Sequence, residues 1–211
     1  MPTESYDEGY FRTLYGEGAR QTRFDRARDD RVVRMVRRHA PPRREGSALL
    51  DIGCGYGYLL GRFRGRYRLV GIDVSAHAVG QATGRIPGAL VVTADVQRAL
   101  PFDHRFDVVL AINVVEHLAD PASAAAAVRD ALVPAGLCVI HLPTINGPVS
   151  RAIYRLAYER DPTHVYRPSG RQVRRLFEEA GFQAVEVSYA PHVRWLSTGW
   201  HPALLAAFLR R

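Results

Sequence analysis

Leu49-Leu50-Asp51-Ile52-Gly53-Cys54-Gly55-Tyr56-Gly57 joins an apolar run to an acid and then to three glycines at alternate positions. The pattern reads as a buried strand that ends in a glycine turn and opens a helix. A second apolar run, Tyr67-Arg68-Leu69-Val70-Gly71-Ile72, ends at Asp73. Glycines at a turn let backbone amides approach a ligand, and an acid on the next strand tip can accept hydrogen bonds from both ribose hydroxyls. Together these features suit the binding of a nucleoside.

The spacing narrows the choice. Gly53, Gly55 and Gly57 do not follow G-x-G-x-x-G, and no Gly-Lys-Ser/Thr follows as in a P-loop. Asp51 would repel a pyrophosphate but attract the ammonium of an amino-acid-bearing nucleoside. Glycines that serve only to pack a Rossmann-like turn are the alternative.

Outward from this stretch the chain alternates between strand and helix patterns. Strands are predicted at 48–52, 68–73, 89–93, 106–112, 136–142 and 182–189, with helices at 24–39, 57–65, 75–84, 121–132 and 169–180. Continuous Val/Ile/Leu strands separated by helices predict an α/β Rossmann-like sheet, mainly parallel, with helices on both faces. A seventh strand has little signal. After Ser188 only Val193–Leu196 offers a weak candidate, and the Ala/Leu-rich tail that follows reads as helix, available to cover an edge, form a homodimer contact or touch a membrane surface. The whole of 1–211 reads as one domain, with 1–40 an aromatic N-terminal cap and helix. Residues 143–168 form an insertion, holding a helix over 149–160, on the substrate side.

Ligands of open parallel sheets bind at the carboxyl ends of the strands. Those ends carry Asp51-Ile-Gly-Cys-Gly, Asp73-Val74, Asp95-Val96, Asn113 and Leu142-Pro-Thr. The motifs Asp51–Gly57 and Gly71-Ile-Asp-Val-Ser75 resemble those of class I S-adenosylmethionine (SAM) methyltransferases. Ala99–Leu110, Asn113–Pro121 and Arg160–Ser169 resemble the small-molecule methyltransferases of ubiquinone and menaquinone biosynthesis. The resemblance runs over about residues 46–188. It implies SAM as cofactor, held by Asp51, the backbone of Gly53, Cys54 and Gly55, Asp73 on the ribose, Val74 and Val96 against adenine, Asp95 on its amine, and Asn113 near the methionine part. For Asp95 a helix cap is the alternative role.

Methyl transfer is an in-line displacement on an already activated donor, so alignment and desolvation dominate and a base is optional. His117, after the fourth strand, and His164, in the insertion, are the candidate bases. His117 has a cofactor-pocket or capping role as its alternative, and His141 reads as packed at a strand end. Some ubiquinone-pathway relatives carry Glu-x-x-Glu-His here and bind a divalent metal. In this chain the first acid is replaced by Asn113, which leaves Glu116 and His117, so no metal is expected. Tyr10, Tyr15, Tyr154, Tyr166 and Arg167 are expected to line the acceptor pocket, with Arg155 or Arg167 able to pair with a carboxylate or phosphate.

Net charge is +8 and all 29 Lys+Arg residues are arginine. The arginines are spread along helices, as at Arg31, Arg34, Arg37 and Arg38, which favours a solvated face over a nucleic-acid patch. No apolar run has membrane-spanning length, no signal-like segment opens the sequence, and the two cysteines have neither metal nor disulfide spacing. These features favour a cytoplasmic enzyme that methylates a small molecule at oxygen, with no nucleic-acid partner. The rivals are an RNA or protein methyltransferase and a SAM-binding accessory protein without turnover. Asn113-Val-Val-Glu replaces the Asn/Asp-Pro-Pro-Tyr/Phe turn of nitrogen methylation on nucleobases and glutamine.

Overall fold

The computed structural model describes residues 6–15, 21–42, 46–98, 100, 102, 105–159, 161–189 and 203–211, except for the side chains of residues 14 and 15. Helix α1 (Glu8–Tyr15) and helix α2 (Arg23–His39) come first. Thr22 caps α2 and exchanges hydrogen bonds with Asp25 in a capping box. The α/β unit follows as β1 (Ala48–Ile52), β2 (Arg68–Asp73), α3 (Ala76–Arg85), β3 (Leu90–Thr93), β4 (Phe106–Ile112), α4 (Pro121–Ala131) and β5 (Leu132–Pro143). It ends with α5 (Pro148–Ala157), α6 (Gly170–Glu179), β6 (Phe182–Ser188) and β7 (Ala203–Arg210).

The seven strands form one sheet in the order β3-β2-β1-β4-β5-β7-β6. Strands β1 to β5 pair in parallel, and β7 runs antiparallel to both β5 and β6. Alternation along β1 sends Leu50 and Ile52 to one face, with Val128 of α4 and Phe177 of α6. Leu49 goes to the other, against Val32, Val33 and Val36 of α2. Asp51 shares the face of Leu49, so its carboxylate points toward α2. The strand order reverses between β1 and β4, the topological switch point where a ligand crevice opens.

Three expectations are corrected. The helix predicted over 57–65 is a short 3₁₀ turn, Leu60–Phe63, flanked by turns. Gly57 sits at φ +76°, outside helical space, where a Cβ would meet Ile86 Cδ1 at 2.5 Å. The strand predicted from 136 begins at Leu132, and its first residues pair irregularly opposite Phe106 and Val108. The third correction concerns the tail.

Ala203-Leu-Leu-Ala-Ala-Phe-Leu-Arg210 is a strand inside the sheet, not a helix at its edge. Ala and Leu favour helix on propensity, but Ala203 through Phe208 are all at most 1% exposed. A strand flanked by two others and covered on both faces reads as a continuous apolar run, and packing overrides propensity there. Phe208 lies 4.8 Å from Phe177, nearly parallel to it. The candidate Val193–Leu196 lies outside the described residues.

Candidate active site

The glycine turn and two acids make one compact unit. Gly53 has φ +66°, and a Cβ there would lie 2.5 Å from Val114 Cγ2, so the turn after β1 packs directly on the segment after β4. Cys54 donates its N–H to Ile72 O, accepts from Gly57 N, and buries its thiol against β2. It acts as a spacer in the turn, and burial pushes its thiol pKa up. Gly55 donates its N–H to Asp73 Oδ2 at 2.9 Å, and Ser75 N–H donates to Asp73 Oδ1 at 3.0 Å.

Asp51 and Asp73 are 2% and 7% exposed. Burial raises the pKa of Asp73, opposed by the amides of Ser75, Gly55 and Val74. Burial also holds Asp51 well above the usual carboxylate range, reinforced by the charges of Asp29 and Asp73. Arg28 opposes that shift, and its charge also reaches Glu116 and Tyr158. Arg28 is ion-paired to Asp29 at 2.9 Å and to Asp25 at 3.2 Å. The sequence reading missed Arg28 and Asp29. A signal existed, because Asp29, Val32, Val33 and Val36 form the buried stripe of α2, and a charge on an apolar stripe calls for a partner or a ligand.

These residues fit a nucleoside bearing an amino acid. Two nearly buried acids lie at the ends of adjacent strands, close enough for the charge of Asp73 to act on Asp51, and no protein donor reaches Asp51 among the described residues. An ammonium and hydroxyls would supply the missing donors. Val96 is 7% exposed and belongs to the core on the α4 side, while Val74 is half-buried beside Asp73. Asp95 accepts from Gln97 N–H at 2.9 Å in its own turn. Asn113 is held at φ +57°, its N–H bonded to His141 O and its Oδ1 to His141 Nδ1. His141 is thus built into β5 and orients Asn113.

Beyond this crevice the structure brings His117 and His164 together, with ring centroids 4.8 Å apart. His117 follows β4 in a short 3₁₀ turn, and His164 lies between α5 and α6. Thr163 links them to Asp161. Its hydroxyl donates to Asp161 Oδ1 at 2.5 Å and lies 2.9 Å from His117 Nδ1. A hydroxyl has one proton, so toward His117 it accepts, and His117 Nδ1 must donate. Thr163 O, 3.2 Å from the same nitrogen, fits that tautomer. Burial and then the neighbouring His164 lower the His117 pKa to about 4. At neutral pH the ring is therefore neutral, with its lone pair on Nε2.

Glu116 is 1% exposed, and burial raises its pKa to about 8. Its Oε2 and His164 Nδ1 are buried without partners among the described residues. Glu116, His117 and His164 offer ligand atoms within 4.8 Å of one another, a set that could hold a metal ion. Local spacing pointed to Glu116 and His117; His164 joins them only through the fold.

Helix α1 lies over the glycine turn. Phe11 stacks on Tyr56 at 5.2 Å, and Tyr6 meets His117 edge-on at 6.0 Å. Tyr10 packs between Tyr6 and Phe11, and burial raises its phenol pKa. Tyr154 lies 6.5 Å from His164, and Tyr166 donates its N–H to Glu116 O. Arg167 donates to His164 O and pairs with Glu159. The side chain of Tyr15 lies outside the described residues. Among those residues no helix is long and apolar enough to cross a membrane.

A family model described as a methyltransferase domain matches residues 24–187. A ubiquinone biosynthesis O-methyltransferase of Cereibacter sphaeroides is 37% identical over 47% of this chain and 42% of its own length. A tRNA U34 carboxymethyltransferase of Vibrio atlanticus is 29% identical over 71% of this chain and 48% of its own. The chain therefore spans under half the length of these relatives. The magnesium protoporphyrin IX methyltransferase of Synechocystis, solved with bound SAH, superposes over 99% of this chain and 98% of its own with a TM-score of 0.72 at 16% identity.

Proposed function

This chain belongs to the methyltransferase-domain family, and from that premise we propose that it moves a methyl group from SAM to an oxygen of a small-molecule acceptor, with His117 as the base. It is a SAM-dependent methyltransferase of class I. SAM supplies an activated methyl group on a sulfonium sulfur. Asp73 would accept the ribose hydroxyls, Asp51 would face the ammonium, and Arg28 would face the amino-acid carboxylate. Val74 and Val96 would flank the adenine, with Asp95 at its amine and the Asn113 backbone along the methionine part.

The Asp161–Thr163–His117 chain carries the assignment of the base. It keeps a proton on Nδ1 and leaves the Nε2 lone pair to take the proton of an acceptor hydroxyl. His164, edge-on beside it, is the second candidate. Tyr10, Tyr154, Tyr166 and Arg167 would enclose the acceptor and exclude water.

A nucleic-acid acceptor is the second reading, favoured by the tRNA-directed relative and the net charge of +8. Against it, Arg28, Arg38, Arg62, Arg174 and Arg175 each stand within 3.3 Å of a carboxylate, which leaves no continuous cationic stripe from these residues. The test is methyl transfer from labelled SAM to a panel of phenols and catechols, beside an unmodified tRNA pool, with thermal shift by SAH. A shift with SAH and label in a phenol or catechol supports the proposal. Label only in RNA moves the acceptor to the second reading. A SAH shift with no labelled acceptor points to an accessory role, and no shift at millimolar SAH removes the cofactor assignment.

A further inference from the structure

A cleft of about 310 Å³ lies between α5 and the first turn of α6, a size at the lower end for small-ligand sites. Three arginines line it, Arg151 and Arg155 from α5 and Arg167 from the segment before α6. The one carboxylate among the lining residues is Glu159, 3.3 Å from Arg167 and 4.0 Å from Arg155. One acid cannot neutralise three guanidiniums, and Arg151 has no ion pair among the described residues.

The lining also includes Tyr154, which is 1% exposed and whose hydroxyl has no hydrogen-bond partner among the described residues. A buried, unmatched phenol beside an excess of guanidinium calls for an acceptor from outside the chain. Ser169 and Gln172 bring the positive end of α6 to the same cleft. Guanidinium groups pair with carboxylate and phosphate oxygens through two parallel N–H donors.

The same Tyr154 ring lies 6.5 Å from His164, which meets His117 edge-on at 4.8 Å. The cleft is therefore one aromatic ring away from the histidine pair. We propose that the cleft holds a carboxylate or phosphate carried by the methyl acceptor, so that the acceptor is an anion anchored at Arg151, Arg155 and Arg167. The link to an acceptor rests on the methyltransferase reading above; the anion site itself does not.

The experiment measures binding, not turnover. Inorganic phosphate and benzoate are titrated into the protein at constant ionic strength, with chloride as reference, and thermal shift and calorimetry are read with and without SAH. The expected result is saturable millimolar or tighter binding of one probe, weakened at least tenfold in Arg151→Gln/Arg155→Gln, with the SAH shift retained. Both substitutions fall on exposed positions of α5, and circular dichroism checks the fold. Tighter phosphate binding identifies a phosphate ester, and tighter benzoate binding a carboxylate. No binding beyond chloride, or equal binding in the variant, overturns the site. A short RNA that binds more tightly than both probes and is lost in the same variant overturns the small-acceptor assignment. Anion binding with no SAH shift would leave the cleft standing and remove the methyltransferase reading instead.

Discussion

Gly55 donates its backbone N–H to Asp73 Oδ2 at 2.9 Å, so the acid at the tip of β2 holds the glycine turn that follows β1. In the proposed function the same carboxylate would also receive the ribose hydroxyls and so serve both the turn and the ligand. Asp73→Ala should weaken SAH binding by about 2–3 kcal/mol, roughly 30- to 150-fold, as expected for charge-assisted hydrogen bonds. Calorimetry measures this. An affinity within twofold of wild type would place the ribose elsewhere.

Asp51 works against stability in the free protein. Its folded pKa is well above its unfolded value, chiefly through burial. The stability it contributes is present below the unfolded carboxylate pKa and is lost as pH rises toward the folded one. Asp51→Asn should therefore raise the unfolding free energy of the free protein at neutral pH, with the gain vanishing as pH falls below about 4, the unfolded carboxylate pKa. SAH affinity should fall in the same variant. Denaturant titrations at several pH values check the first claim, and a variant that is destabilised at neutral pH would contradict it.

With a His117 pKa of about 4 in the free protein, a base at this position gives an acid limb near pH 4 in kcat/KM, not near the ordinary histidine value of 6.5. His117→Ala should remove that limb and lower kcat by about 10²–10⁴-fold. His164→Ala separates the two candidates. If only the His164 variant loses the limb, the proton goes to His164.

Phe208 tests the place of β7. It is fully buried and stacks on Phe177 at 4.8 Å. Phe208→Ala should cost roughly 3–5 kcal/mol, as for large-to-small changes at packed cores. Urea unfolding reads it directly, and a loss under about 1 kcal/mol would be the behaviour of a peripheral segment.

Much of the fold was legible in local pattern. Val/Ile/Leu runs marked β1 to β5, and the helix starts expected at 75, 121 and 169 coincide with the caps Ser75, Asp120 and Ser169, each of which accepts a backbone N–H. The residues expected at the cofactor, Asp51, Gly53, Gly55 and Asp73, come together because they lie at or just after the ends of adjacent strands that follow one another in the chain. Arg28 was hidden among other arginines of α2, and its direction depends on which face of that helix meets the sheet. Thr163 has no distinctive signal, since a threonine orients a histidine only when the fold brings it within 2.9 Å.

The glycine turn, the acids beside it and the strand–helix rhythm follow from short-range chemistry: backbone freedom, charge and hydrophobic period. These are properties of a few consecutive residues; they were enough to name the fold class and a nucleoside site, and the family resemblance of the same motifs named the cofactor. The tautomer of His117 and the grouping of Glu116 and His117 with His164 join residues far apart in the chain. The position of β7 is the same kind of fact, since Ala203–Phe208 have helical propensity and become a strand only between β5 and β6. Long-range packing supplies the burial and the partners in each case, and neither is written in local sequence.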